Sequence, residues 1–241
     1  MNAKPLVLVS EPLLPGALDK LRAQVRVRQV KPDELPGAIA EAEGLVVRTY
    51  TQVNAELLDA APRLKVVGRA GVAIDNIDLK AAGARGVVVV HTPEANTLAV
   101  VDYTVAMMLQ LNRQFWPMVD PLPAEKFHRV RQQTFGRFLA DCRLGVIGCG
   151  RIGSRVARAA LGLGMQVSVC DILDPAQLDV DDMADRLRFR GLAQLLAESD
   201  IITLHVPLDD STRGMMDEEN LARCTPGAQL INAARGACVD A

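Results

Sequence analysis

Short apolar runs alternate along the whole chain with stretches whose apolar residues recur at helical spacing. The runs at 6–9, 25–30, 45–47, 65–67 and 87–90 predict five strands, and those at 144–147, 166–170, 201–205 and 229–232 predict four more. Helices are predicted over 14–23, 33–42, 54–61 and 78–84, then over 97–113, 151–163, 191–198 and 217–223. Strands alternating with helices at this spacing build βαβ units and mainly parallel sheets. The strands form two groups on either side of the long apolar segment 97–113. The prediction is therefore two doubly wound α/β domains, 1–96 and 97–241. Residues 115–138 hold three prolines and mixed charges, and read as a helix-and-loop excursion.

Composition narrows the class. Apolar residues make up 49% of the chain and aromatics 3%, a mix that suits parallel strands buried on both faces by helices. A net charge of −2 gives no electrostatic case for nucleic acid. No apolar stretch approaches the ~18 residues of a membrane span, and the start runs directly into a strand pattern without secretory cleavage logic. Cys142, Cys149, Cys170, Cys224 and Cys238 lack C-x-x-C or zinc spacing. They read as free thiols in a reducing cytoplasm, and no metal site is expected.

The strongest chemical signal is at 144–153, where an apolar run ends in G-x-G-x-x-G with Gly148, Gly150 and Gly153. The helix pattern that follows puts Ile152, Val156, Ala159, Ala160 and Leu163 on one face. A strand turning tightly into a helix directs backbone N–H groups and the positive end of the helix dipole at one point, a site for a pyrophosphate. The first glycine permits the turn, the second lets phosphates approach the backbone, and the third lets helix and strand pack closely. Asp171 ends the next apolar run, 18 residues beyond Gly153, near the ~20 expected of a carboxylate that binds a ribose 2′-hydroxyl. Residues 172–175 hold no Arg or Lys, so a 2′-phosphate would be repelled and NAD is preferred over NADP. A strand-capping role for Asp171 is the simpler alternative.

Other candidates lie where strands end, the edge at which open α/β sheets bind ligands. Arg235 follows the strand at 229–232 and could hold a carboxylate bidentately and polarise an adjacent carbonyl, or be an ordinary ion-paired arginine. His205 closes the strand at 201–205 at the same edge, where a histidine is more often a packing and hydrogen-bonding residue than a catalyst. Neither His91 nor His128 has a carboxylate spaced to orient it. In the first half, the segment 68–78 follows a strand and precedes a helix, so its N–H groups could hold a carboxylate. Arg48 ends the strand at 45–47 and would face the same crevice, with solvent exposure as the alternative for both Arg48 and Arg69.

Taken together, these segments resemble the D-isomer-specific 2-hydroxyacid dehydrogenases, most closely their phosphoglycerate dehydrogenase branch. The matching stretches are 45–49, 66–71, 75–78 and 92–97, with 144–153, 200–207 and 232–240 in the second half. The resemblance implies a flavodoxin-like substrate domain at 1–96 and a Rossmann NAD-binding domain from 97, with the helix at 97–113 contributing to a homodimer or homotetramer. It implies that Arg151 and Ile152 lie along the pyrophosphate, that Asp171 binds the adenosine ribose, and that His205, Val206, Pro207, Ala233 and Ala234 line the cofactor. Arg235 matches the catalytic arginine, also in reach of the cofactor. Arg69, Ala70, Gly71 and Val72 would hold the carboxylate of a small 2-hydroxy or 2-oxo acid, and Arg48 could meet the phosphate of 3-phosphoglycerate.

Three positions depart from the family pattern: Ala73 replaces a glycine, Asp102 replaces a glutamate, and 139–144 lacks a Gly-Lys pair. The family's catalytic glutamate and acid–base histidine fall beyond Ala241, which leaves the Rossmann domain incomplete and makes the chain look truncated. The leading expectation is an NAD-dependent oxidoreductase. The alternatives are a non-enzymatic NAD-sensing protein of the same fold and an inactive fragment. Retention of Arg235, the 69–72 loop and Arg48 favours the enzyme.

Overall fold

The computed structural model describes residues 4–113, 123–133 and 135–240. It divides into two compact units, Met1–Asn96 and Thr97–Ala241. Much of the predicted excursion at 115–138 lies outside the described residues.

The N-terminal unit runs β1 (Leu6–Val9), α1 (Pro15–Gln24), β2 (Arg26–Gln29), α2 (Leu35–Ala38), β3 (Gly44–Val47), α3 (Ala55–Asp59), β4 (Val66–Arg69), α4 (Leu79–Ala84) and β5 (Val88–His91). Its strands form one parallel sheet in the order β2-β1-β3-β4-β5. The interior strand β1 is buried at every position, as expected where helices cover both faces of a parallel sheet. The predicted helix at 33–42 is instead a single turn, α2, followed by a 3-10 turn. Pro36 and Gly37, both poor helix formers inside a helix, sit in that turn. α3 and α4 start where Asn54 and Asp78 accept hydrogen bonds from Leu57 N and Ala81 N, the usual side-chain cap for otherwise unpaired first-turn donors.

The C-terminal unit runs α5 (Thr97–Asn112), α6 (Ala124–Gln133), β6 (Arg143–Ile147), α7 (Gly153–Gly162), β7 (Gln166–Cys170), β8 (Leu187–Phe189), α8 (Leu192–Glu198), β9 (Ile201–Leu204), α9 (Glu218–Ala222) and β10 (Gln229–Asn232). These strands form a second parallel sheet, ordered β10-β9-β6-β7-β8. β8 is an element that periodicity does not predict. α7 buries Gly153, Val156, Ala157, Ala160 and Leu161, so its inner face is rotated from the predicted one; Leu163 lies past the last turn and is 41% exposed. One core holds Leu144, Val146, Val156, Ala160, Val167 and Met108 of α5. The other face of the sheet packs Ile147, Ile202 and Leu204 on Leu195 and Leu196 of α8. The five cysteines are free thiols. No helix among the described residues is long and apolar enough to cross a membrane, and none of their His, Cys, Asp and Glu side chains gather as metal ligands do.

Candidate functional site

In each sheet the strand order reverses beside the first strand of its unit: between β1 and β3 in one, between β6 and β9 in the other. Such a switch point opens a crevice at the carboxyl ends of the strands, because neighbouring connections leave toward opposite faces. The sequence candidates cluster at these two edges.

At the edge of the C-terminal sheet, β6 ends in Gly148, whose φ of +85° only glycine adopts without strain. A Cβ at Gly148 would come within 2.8 Å of His205 O and 2.9 Å of Val206 Cγ1. The turn after β6 and the end of β9 therefore lie against one another. A side chain at Gly153 would collide with the carbonyl oxygen of Gly148, whereas one at Gly150 would meet nothing within 4 Å. The loop is thus closed on its inner side and open on its outer side at Gly150, just before α7, in whose first turn Ser154 N bonds Gly150 O at 3.0 Å. Arg151 is exposed and Ile152 half-buried at the start of this helix.

Asp171 stands one strand away, at the end of β7. Its Oδ2 accepts a bond from Cys149 N at 2.6 Å and its Oδ1 one from Leu173 N at 2.9 Å. The carboxylate is thereby tied to the glycine loop while keeping acceptor capacity on both oxygens. Cys149 is inert here: burial, then the nearby Asp171 charge, push its thiol up to about 11.

His205 N donates to Ile147 O at 2.8 Å, its Nε2 lies 3.0 Å from Thr203 Oγ1, and its Nδ1 is buried without a partner. Burial lowers its pKa to about 4, so the ring is neutral near pH 7. Pro207 O accepts from Thr212 Oγ1 at 2.6 Å. After β10, Asn232 bends the chain: its Oδ1 accepts from Ala234 N at 3.0 Å and its Nδ2 donates to Arg235 O at 2.7 Å. Ala233, Ala234 and Arg235 are half-buried in that turn, and Arg235 Nη1 bonds Ala234 O at 2.9 Å. The parallel sheet brings all these segments to one edge.

At the edge of the N-terminal sheet, β3 leads into the loop Arg48–Thr51, and β4 into the segment Ala70–Val72. Arg48 is exposed, with Nη1 donating to Pro12 O at 3.1 Å. Arg69 folds its guanidinium against Gly71. Ala70 N donates to Val47 O and Thr92 N to Gly71 O, so the 69–72 segment is pinned between β3 and the end of β5.

Three residues that sequence reasoning passed over organise this edge. Glu11, two residues past the end of β1, accepts four backbone N–H bonds from residues 48–51. Burial by itself would raise its carboxyl, but the bonds from Tyr50, Thr51, Arg48 and Thr49 outweigh it and bring the pKa down to about 2. Asn76 donates to Arg48 O at 3.1 Å and Thr51 O at 2.7 Å. His91 Nδ1 lies 2.7 Å from Val72 O. The one signal for Glu11 is an acid placed two residues past a wholly buried strand.

Residues 105–241 match the family model for the NAD-binding domain of D-isomer specific 2-hydroxyacid dehydrogenases. D-3-phosphoglycerate dehydrogenase of Mycobacterium bovis is 39% identical over 244 residues, which covers 98% of this chain and 44% of that protein. Hydroxypyruvate reductase of Thermotoga maritima is 34% identical over 242 residues, covering 99% of this chain and 76% of that one. The crystal structure of D-lactate dehydrogenase from Aquifex aeolicus, complexed with NAD and lactic acid, superposes with a TM-score of 0.79 at 32% identity, covering 98% of this chain and 70% of that one. The chain thus spans less than half the length of the phosphoglycerate dehydrogenase it matches.

Proposed function

The chain belongs to the D-isomer-specific 2-hydroxyacid dehydrogenase family, with an NAD-binding half at 105–241, and from that premise we propose that it takes part in NAD(H)-dependent interconversion of a small D-2-hydroxy acid and its 2-oxo acid. The observation that carries the reading is the meeting of the 148–153 loop, Asp171, the 205–207 segment and the Arg235 turn at one sheet edge. The residues fit a dinucleotide: Gly150 leaves open space before the start of α7, and Asp171 keeps acceptor capacity with no cation in 172–175.

When bound, NADH supplies a hydride to the carbonyl carbon of the 2-oxo acid. The first turn of α7 and Arg151 neutralise the pyrophosphate. Asp171 accepts from the ribose hydroxyls, and its charge disfavours a 2′-phosphate. His205, Val206, Pro207, Ala233 and Ala234 shape the remaining wall of the cofactor site. Arg235 stabilises charge on the carbonyl oxygen as it develops, and its guanidinium geometry matches a carboxylate. In the N-terminal unit we assign substrate binding to Arg69, Ala70, Gly71 and Val72, and a substrate phosphate to Arg48, which makes 3-phosphoglycerate the favoured substrate. Retention of this arginine set supports an enzyme rather than a dinucleotide sensor.

We assign proton transfer to no residue within 1–241. Arginine is a poor donor because its pKa exceeds ~12. Of the histidines, His91 is bonded to Val72 O, His128 packs edge-on to Phe127, and His205 is buried and neutral. Positioned acid–base groups contribute roughly 10²- to 10⁴-fold, so residues 1–241 alone are expected to turn over very slowly. α5 leaves Leu98, Tyr103 and Leu111 more than half exposed, an apolar surface that supports a homodimer contact.

The test is NADH oxidation by 1–241 and by the full-length protein against pyruvate, glyoxylate, hydroxypyruvate and 3-phosphohydroxypyruvate. Reduction by the full-length protein, with phosphohydroxypyruvate preferred, is the expected outcome. NADH binding with no turnover of any 2-oxo acid would point to the sensor, and no NADH binding at all would refute the assignment.

A further inference from the structure

The four consecutive N–H groups of Arg48, Thr49, Tyr50 and Thr51 converge on one carboxylate. Glu11 Oε1 accepts from Arg48 N at 2.8 Å and Thr51 N at 3.1 Å; Oε2 accepts from Thr49 N at 2.9 Å and Tyr50 N at 3.1 Å. Successive backbone N–H groups curved around one point make an anion-binding concavity. Here the protein's own side chain fills it, and Glu11 is buried at 7% exposure.

The other side of the loop is held as firmly. Asn76 Nδ2 donates to Arg48 O and Thr51 O, while Val53 N bonds Asn76 O and Asp78 N bonds Val53 O. The loop at 48–53 is thereby locked to residues 76–78, the end of the segment that starts at Arg69. Arg48, Thr49 and Tyr50 stay exposed, and the Arg48 guanidinium, the one cation among them, makes one hydrogen bond among the described residues, to Pro12 O.

We propose that Glu11 and Asn76 are positioning residues that fix Arg48 to receive the phosphate of the substrate, with Glu11 blocking the loop N–H groups as a competing anion site. This rests on the assignment of Arg48 to a substrate phosphate. A glutamine at 11 would keep the shape but turn an NH₂ group toward backbone N–H donors. The loop would then spread and carry Arg48 off the phosphate, at the cost of a hydrogen bond between charged groups.

Calorimetric titration of the chain with hydroxypyruvate and with 3-phosphohydroxypyruvate isolates the phosphate, since the two ligands differ in nothing else. Glu11→Gln should weaken the phosphorylated ligand by about 10- to 10²-fold, the worth of a hydrogen bond to a charged group, leave hydroxypyruvate and NADH nearly unchanged, and add nothing in an Arg48→Ala background. Formate should partly restore phosphohydroxypyruvate binding to Glu11→Ala by refilling the concavity. Equal weakening of both ligands by Glu11→Gln, or full additivity with Arg48→Ala, would overturn the positioning role. If Arg48→Ala itself weakens both ligands equally, the phosphate assignment falls and the proposal with it. Should Glu11→Gln not fold, Asn76→Ser carries the same test: it must reproduce the phosphate-selective loss, and an unselective loss refutes the proposal.

Discussion

The two units answer the same topological problem in opposite ways. Each is a five-stranded parallel sheet with a switch point beside its first strand, and each places a loop there. In the C-terminal unit that loop is open at Gly150, and its neighbouring carboxylate, Asp171, is tied in by Cys149 N. In the N-terminal unit Glu11 already occupies the loop, and the exposed group is a cation, Arg48. On the proposed reading, one edge receives an anion on backbone dipoles and the other on a guanidinium. Backbone dipoles at a helix start suit a pyrophosphate; a lone arginine on a rigid loop suits a smaller terminal phosphate or carboxylate.

The comparison breaks most visibly at the glycines. Gly153→Ala should disrupt the C-terminal unit and abolish NADH binding together, because the new methyl collides with Gly148 O. Gly150→Ala should leave the melting temperature near wild type and still weaken NADH, since its methyl occupies only the open side. Thermal melts beside fluorescence titrations check both. Equal loss of stability in the two variants would mean that the loop is closed on both sides.

Next in size is Arg235. Under the proposed 2-oxo acid reduction, replacing it by Ala in the full-length protein should lower kcat by about 10²- to 10³-fold, the usual loss when one donor to a developing oxyanion is removed. NADH affinity should change far less. Steady-state kinetics with NADH titrations separate the two effects, and an unchanged kcat would remove Arg235 from the reaction.

The smallest effect is a difference in acid sensitivity. His205 is held at about 4 against an ordinary 6.5. Its unfolded form binds a proton first, so its contribution is complete above pH 6.5 and is lost as pH falls toward 4. Glu11 is held at about 2 against 4.5, so its contribution is complete above pH 4.5 and is lost as pH falls toward 2. Asp200 behaves alike, since the Arg143 guanidinium hydrogen-bonded to it holds its carboxyl at about 2. Amide exchange should therefore show β9 losing protection between pH 6.5 and 4, while β1 and β3 hold until below 4.5. Simultaneous loss in both units would contradict the assignment of these groups.

The legible and illegible parts of the molecule differ in how far apart the interacting residues are. Buried parallel strands read as apolar runs, so β1, β6 and β7 are readable almost to the residue. β8 is not, because it is three residues long at a sheet edge, with Leu187 buried and Arg188 exposed. The glycine loop is legible because its chemistry is local: turn, helix start and packing contact all fall within 148–153. The clamp on the 48–51 loop is not, because Glu11 and its partners lie 37 to 40 residues apart and Asn76 and Thr51 lie 25 apart. His91 has no carboxylate spaced to orient it, and the atom beside its Nδ1 is the backbone carbonyl oxygen of Val72. Partners of that kind leave no trace in spacing.

The central claim is that the edge built from Gly148–Gly153 and Asp171 is a site for NAD rather than NADP. Fluorescence titration of the chain with NADH and NADPH, repeated with Asp171→Ala, tests it directly. The account predicts tighter binding of NADH than of NADPH, with Asp171→Ala costing NADH about 1.5–3 kcal/mol, the range for a hydrogen bond to a charged group, and narrowing the difference between the two. Binding of NADPH as tight as or tighter than NADH, or an Asp171→Ala variant that binds NADH like wild type, would contradict it.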